Sequence, residues 1–184
     1  MTGAHAGERV LVLGAGVAGL AAALALRPMP VTVITPGPVR AGGSTAWAQG
    51  GIAAAMEPPD APPHHAADTE AAGAGLCDSD IVAAVTAAAP DAIRWLETLG
   101  VRFDRGSDGA RACALEGGHS RSRVLHAGGD HSGQAIRDAL LAAAEASPSI
   151  AFAPKSAPTA LLVDETGVAG VRVRCRAGVE DLPA

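Results

Sequence analysis

The apolar positions of this chain come in short runs with different periods. "RVLVLG" (Arg9 to Gly14) is a continuous run of β-branched and leucine residues ending at a glycine, the pattern of a short buried strand. "VAGLAAALAL" follows as a helix of small residues, stopped by Pro28 and Pro30. "VTVI" (Val31 to Ile34) reads as a second strand, closed by "TPGP". Strand, helix and strand within about thirty residues is the length of a βαβ unit, placed here at residues 9–35.

The pattern then lapses. "AGGSTAWAQGGIAAAM" (Ala41 to Met56) has sixteen residues, no charge and four glycines, so neither helix nor strand propensity favours it. "EPPDAPPHH" (Glu57 to His65) reads as a proline-rich surface loop. "DSDIVAAVTAAAPDAIRWLETLG" predicts two consecutive helices, the first capped by Ser79 or Asp80, the second with Pro90 in its first turn and Gly100 at its end. Ile93, Leu96 and Leu99 share a face there, and Trp95 and Trp47 are the large anchors expected for the core. Residues 104–130 are glycine-rich and irregular. "SGQAIRDALLAAAEAS" predicts an amphipathic helix capped by Ser132, with Ile136, Leu140 and Ala144 on one stripe. "SIAFAP", "TALLVDE" and "VAGVRVRCR", with a turn at Thr166-Gly167, predict a β-meander over 150–176. The order of elements implies an α/β fold, with a helical and loop region at 78–146 between the βαβ unit and the meander.

Composition narrows the function classes. The 184 residues suffice for one domain. A hydrophobic fraction of 48% with only 2% aromatic residues means an alanine-rich core that depends on close backbone packing. A net charge of −5 without any Lys/Arg block excludes a nucleic-acid footprint. Cys77, Cys113 and Cys175 are scattered and odd in number, which points to no disulfide framework, no zinc site and a reducing cytoplasm. Arg9 and the uncharged run Val10 to Leu26 also have the outline of a signal peptide, but the run is short for a membrane span and its glycines have another explanation.

That explanation is "GAGVAG". Gly14, Gly16 and Gly19 form G-x-G-x-x-G directly after a strand and at the opening of a helix, the context that gives the motif meaning. The first glycine permits the tight turn, the second lets backbone approach a pyrophosphate, and the third allows close helix–strand packing. Amides at the helix mouth then attract the phosphates. Gly14, Ala15, Gly16, Val17, Ala18 and Gly19 are thus candidate dinucleotide contacts. The end of the second strand, where a ribose-holding acid is expected, reads Thr35-Pro36. Thr35 can make one hydrogen bond, but the missing carboxylate weakens a plain NAD-binding reading.

At larger scale, "GAGVAGLAAALAL…VTVITPGPV…GGSTAWAQGGIAAA…DTEAAGAGLCD…WLETLGVRFD…EGGHSRSRVLHAGGD" resembles the N-terminal part of the L-aspartate oxidases, within the flavoprotein family of fumarate reductase and succinate dehydrogenase flavin subunits. The likeness runs from about Arg9 to Cys175, and "STAWAQGGIAAA" and "EGGHSRSRVLHA" are its most specific parts. It implies a partial, three-layer, Rossmann-like FAD-binding domain without the capping and C-terminal helical domains, bound to FAD. It also gives the neutral segment 41–56 a purpose: main chain lying along a flavin, its glycines permitting close approach and its neutrality avoiding a buried unpaired charge. Ser44, Thr45, Ala46, Trp47, Ala48, Gln49, Gly50 and Gly51 are the flavin contacts so implied. Ser44 stands where succinate dehydrogenase subunits carry a flavin-linking histidine, which implies non-covalent FAD.

The resemblance further implies that Glu116 recognises a substrate amino group, with His119 and Ser120 shaping the pocket. Arg121, Arg123 and His126 read as structural ion pairs or surface groups, and no metal role is expected for His64 and His65. The implied reaction is oxidation of L-aspartate to iminoaspartate with oxygen or fumarate as acceptor, feeding NAD biosynthesis and quinolinate synthase, with no nucleic acid and no membrane span. A fumarate reductase-like flavoprotein and a non-catalytic fragment remain the alternatives. Family members carry further arginines and histidines for the substrate carboxylates beyond the span of this chain. The first strand is accordingly expected to lack one neighbour and the isolated chain to be poorly soluble.

Overall fold

A computed structural model describes residues 9–40 and 43–184. In chain order the elements are β1 (Val10–Leu13), α1 (Val17–Ala25), β2 (Val31–Thr35) and, after a 3₁₀ turn at Thr45–Trp47, β3 (Ile52–Ala53). Then come α2 (Pro62–Gly73), α3 (Ser79–Thr98), β4 (Cys113–Ala114), β5 (Val124–Leu125) and α4 (Ser132–Glu145). The chain closes with β6 (Ile150–Pro154), β7 (Ala157–Asp164), β8 (Gly167–Cys175) and β9 (Gly178–Pro183). Two compact units divide it, residues 1–45 with 140–184, and residues 46–139.

The first unit is an α/β structure in three layers. Its parallel sheet has the order β1-β2-β6, with Val12 opposite Val33 and Val33 opposite Phe152. Parallel partners share a face, and alternate residues face opposite ways. Val12, with Val31 and Val33 in the neighbouring strand, therefore lines the face on which α1 lies, where Leu20, Ala23 and Leu24 are buried. Leu11, Ile34 and Ala153 line the other face and pack against Val171, Val173 and Leu182 of the antiparallel sheet β7-β8-β9. In β8 Val171 and Val173 are buried while Arg172 and Arg174 alternate outward, and Arg172 makes a two-point pair with Asp181 of β9 (2.7 and 2.8 Å).

The second unit joins the helix pair α2 and α3 to a small antiparallel sheet of order β3-β5-β4. Asp78 caps α3, its carboxylate accepting the amides of Asp80 and Ile81. Ile93 and Leu96 are buried on one face, followed by Val101 and Phe103. Arg111 reaches back to Glu97 on α3 with two hydrogen bonds (3.1 and 2.8 Å).

Several expectations need revision. The two helices expected in 78–100 are one, with Pro90 inside it and Asp78, not Ser79 or Asp80, as its cap. The proline-rich stretch is only partly loop: Pro62 and Pro63 open α2, which places His64 and His65 on a helix, because proline suits a first turn whose amides lack partners. The strand at 150–154 does not belong to a meander; it pairs parallel with β2, and the meander instead takes in β9, past residue 176. Ser132 is the first residue of α4 rather than the residue before it, and its Oγ accepts the Ala127 amide in the preceding loop (3.1 Å). Trp47 is no core anchor, being 81% exposed.

Candidate functional site

The glycine turn belongs wholly to the first unit. Gly14 leaves β1 with φ +107° and donates its amide to the Ile34 carbonyl (2.8 Å), a conformation that side chains resist. A Cβ on Gly19 would stand 2.0 Å from the Gly14 carbonyl oxygen and 3.2 Å from Val12, so only glycine lets α1 sit this close to the strand. Gly16 is the N-cap of α1 and has no side chain to cap the amides of the first turn. Thr45 Oγ1 accepts the Val17 amide (3.2 Å), and that turn holds no acidic residue. The result is a helix mouth with open backbone donors and a positive dipole end, which is chemically suited to a diphosphate. Ala15 is half-buried, and Val17 and Ala18 are exposed. Thr35 is buried at the end of β2 and its carbonyl accepts the Ser156 amide (3.0 Å), leaving little of its side chain open to a ligand.

The neutral segment is described from Gly43 onward, Ala41 and Gly42 lying outside the described residues. Ser44 is exposed and Thr45 half-buried in the first unit. In the second unit the Ala48 carbonyl accepts the Gly133 amide at the start of α4 (3.0 Å). Gly51 lies so close to β5 that a Cβ would meet the Leu125 carbonyl at 2.4 Å and Val124 at 2.5 Å. Between these two fixed points Gln49 and Gly50 are exposed, as are Trp47 and Ala48, while Ala46 is half-buried. A main chain held at Ala48 and Gly51 with its intervening residues open can present amides to a planar ligand.

The loop that carries Glu116, His119 and Ser120 is built in the second unit, between β4 and β5. At its end Arg123, with no exposed side-chain surface, enters a carboxylate clamp. Asp60 takes two hydrogen bonds from it (2.7 and 3.0 Å), and Asp68 accepts a third. Asp68 also accepts the amide and hydroxyl of Ser120 (both 2.8 Å). A guanidinium only donates, so His119 Nδ1, 3.1 Å from Arg123, is the acceptor and the proton of a neutral His119 sits on Nε2. Bonding to Arg123 holds the Asp60 carboxyl below its ordinary range, and the Asp68 carboxyl is lowered first by the Ser120 amide and then by Arg123. The Asp60 bond in turn pushes the Arg123 guanidinium further up. His65 lies 5.6 Å from His119, ring centre to ring centre, and burial followed by the nearby Arg123 lowers its basicity. Arg123 is thus a buried structural ion-pair residue and not a surface group.

Glu116 projects from the same loop with 45% of its side chain exposed. Its Oε1 lies 2.9 Å from His126 Nε2. Asp60 and Asp68 were missed in the sequence because their only signal is two isolated acids, one in a proline-rich stretch and one in a helix, that meet Arg123 more than fifty residues later.

Residues 9–182 match the family described as FAD binding domain. The chain belongs to this family. FAD is the cofactor of such domains, and the glycine turn fits its diphosphate: a helix mouth whose N-cap is a glycine and whose first turn has no acid, closed so tightly at Gly19 that a single Cβ would push the helix off the strand. Among relatives, the L-aspartate oxidase of Agrobacterium fabrum is 45% identical over 95% of this chain, and that of Caulobacter vibrioides 46% identical over 89%. In each case the match spans 33% of the relative, so the chain covers about a third of their length. Solved structures agree on the fold. A mutant E. coli quinol fumarate reductase superimposes with a TM-score of 0.89 at 26% identity, over 96% of this chain and 31% of that one. The Mycobacterium smegmatis Sdh1 complex gives 0.88 at 30% identity, over 96% and 33%. Among the described residues no group of three or more His, Cys, Asp or Glu side chains could hold a metal ion, and no helix is long and apolar enough to cross a membrane.

Proposed function

We propose that this FAD-binding chain is the cofactor-holding portion of an L-aspartate oxidase, which converts L-aspartate to iminoaspartate with oxygen or fumarate as the final electron acceptor. The observation that carries the reading is Glu116: a carboxylate on an anchored loop, one oxygen held by His126 and the side chain still half open to solvent. An ammonium group is the natural partner of such a carboxylate. The 45–46% identity to two L-aspartate oxidases supports the same assignment.

In this reading Gly14, Ala15, Gly16, Val17, Ala18 and Gly19 bind the diphosphate with Thr45. Ser44, Ala46, Trp47, Ala48, Gln49, Gly50 and Gly51 contact the flavin. A serine at 44 offers no imidazole for attachment, so the FAD is non-covalent. When bound, FAD supplies a two-electron acceptor for the hydride of an amino acid. The chain's own work is to orient the substrate: Glu116 takes the ammonium, while His119 and Ser120, held through Arg123 and Asp68, shape the wall beside it. The iminoaspartate would pass to quinolinate synthase in cytoplasmic NAD biosynthesis, a setting consistent with three free cysteines.

A fumarate reductase-like reading draws on the TM-score of 0.89. It has no use for an ammonium-binding carboxylate, and this separates the two. The test is an absorbance spectrum of a full-length version of the oxidase carrying this chain, purified and loaded with FAD, followed by anaerobic L-aspartate. Retained yellow colour that L-aspartate bleaches, with the response lost in Glu116→Gln, is the expected result. A colourless protein after FAD addition, or equal responses in both variants, would refute the assignment.

A further inference from the structure

Among the described residues His126 is the side-chain partner of Glu116, and the fold gives it a fixed seat. It follows β5 between Leu125 and Ala127, both fully buried, and its carbonyl accepts the Asp104 amide (2.8 Å). Its ring lies against Gly51, where an added Cβ would come within 3.1 Å of Nε2. The missing side chain of Gly51 is what makes room for the imidazole. The ring therefore stands between the neutral segment and the substrate loop, with Nε2 directed at Glu116 Oε1 (2.9 Å) and 25% of its side chain exposed.

A glutamate on a glycine-rich loop has many rotamers, and holding one of them to meet a ligand costs on the order of 1 kcal/mol or more of side-chain entropy. A carboxylate only accepts, so Nε2–H is the donor, and this bond fixes the side chain in advance. One oxygen is engaged and the other lone pairs stay available to a second donor. A ligand ammonium then meets an oriented carboxylate instead of ordering a mobile one.

We infer that His126 is a positioning residue for amino-group selection: by holding Glu116 Oε1 with an imidazole that is itself seated against Gly51, it makes the site prefer a 2-amino dicarboxylate to the same dicarboxylate without nitrogen. This deepens the reading above and rests on Glu116 as the ammonium-binding group. It gives a function to a histidine whose sequence setting suggests only an ion pair or surface group.

The test measures L-aspartate and succinate binding by calorimetry to a full-length, FAD-loaded version of the oxidase carrying this chain, as the wild type, His126→Ala and His126→Gln. An engaged hydrogen bond to a charged group implies a preference for L-aspartate of about tenfold or more in the wild type. His126→Ala should weaken L-aspartate to within about threefold of succinate while leaving succinate itself unchanged, a split that general loosening would not produce. His126→Gln, whose amide nitrogen can reach the place of Nε2, should recover most of the preference. If His126→Ala keeps the full preference, or His126→Gln restores none of it, the positioning role is overturned and the Glu116 assignment stands. If the wild type shows no preference, both fall together. A ligand-free readout guards against misfolded variants: the ¹⁵N ring signal of His126 should move in Glu116→Gln, and an unmoved signal would overturn the contact.

Discussion

Removing the Arg123 guanidinium would take both close hydrogen bonds from the nearly buried Asp60 and leave it the half-exposed Arg121, at 3.9 Å, as its nearest guanidinium. Breaking one side of a buried pair typically costs about 3–5 kcal/mol, so Arg123→Met should lower unfolding free energy by that order in urea titrations of the chain. The same clamp has a definite pH signature. The Asp60 carboxyl is depressed in the folded state by its bond to Arg123, so its stabilisation is fully present above the ordinary aspartate value of about 4. It is lost as pH falls below that value and through the folded one. Acid unfolding followed by circular dichroism should therefore be steeper below pH ~4 in the wild type than in Asp60→Asn, which starts less stable and lacks this titration. None of this was legible in residues 57–68 alone, because burial, and not residue type, gives those carboxylates their role.

At the level of elements, the turn joining β1 to α1 is the most tightly specified part of the chain. Gly19→Ala would place a methyl 2.0 Å from the Gly14 carbonyl oxygen, so the helix must move off the strand. Overpacking of this kind costs about 1–3 kcal/mol, and here it also displaces the amides that face the diphosphate. FAD binding, followed by quenching of flavin fluorescence, should weaken at least tenfold on that basis. The turn and both flanking strands could be read from the sequence because they depend on local pattern: a continuous apolar run, glycine spacing and a proline stop. Pro90 misled for the same reason. A local rule makes proline a helix start, yet α3 carries it internally, half-buried and at helical spacing from the buried Thr86 and Ile93.

Across the whole molecule, β1 is the outer strand of its sheet, so one of its edges has no strand partner among the described residues. Leu13 at its end is 46% exposed. Open apolar edges pair with other chains, and a lysine there opposes such pairing. Leu13→Lys should therefore reduce concentration-dependent association in sedimentation velocity without altering the far-ultraviolet spectrum. Ligand linkage makes a second prediction at this scale. FAD at a hundred times its dissociation constant should stabilise the chain by about 2.7 kcal/mol, raising the thermal midpoint in a scan, and Gly19→Ala should abolish most of that rise.

Sequence alone determined the parallel βαβ start, the glycine-bound helix mouth and the alternation of Val171, Arg172, Val173 and Arg174, because each depends on neighbours only a few positions away. Tertiary structure decided the rest. It moved residues 150–154 from the expected meander into the parallel sheet, since strand pairing is settled by partners more than a hundred residues apart. It gathered Asp60, Asp68 and His119 around Arg123, and it set His126 between Gly51 and Glu116. Charges and glycines of ordinary appearance acquire their chemistry only where the fold removes water and fixes distance.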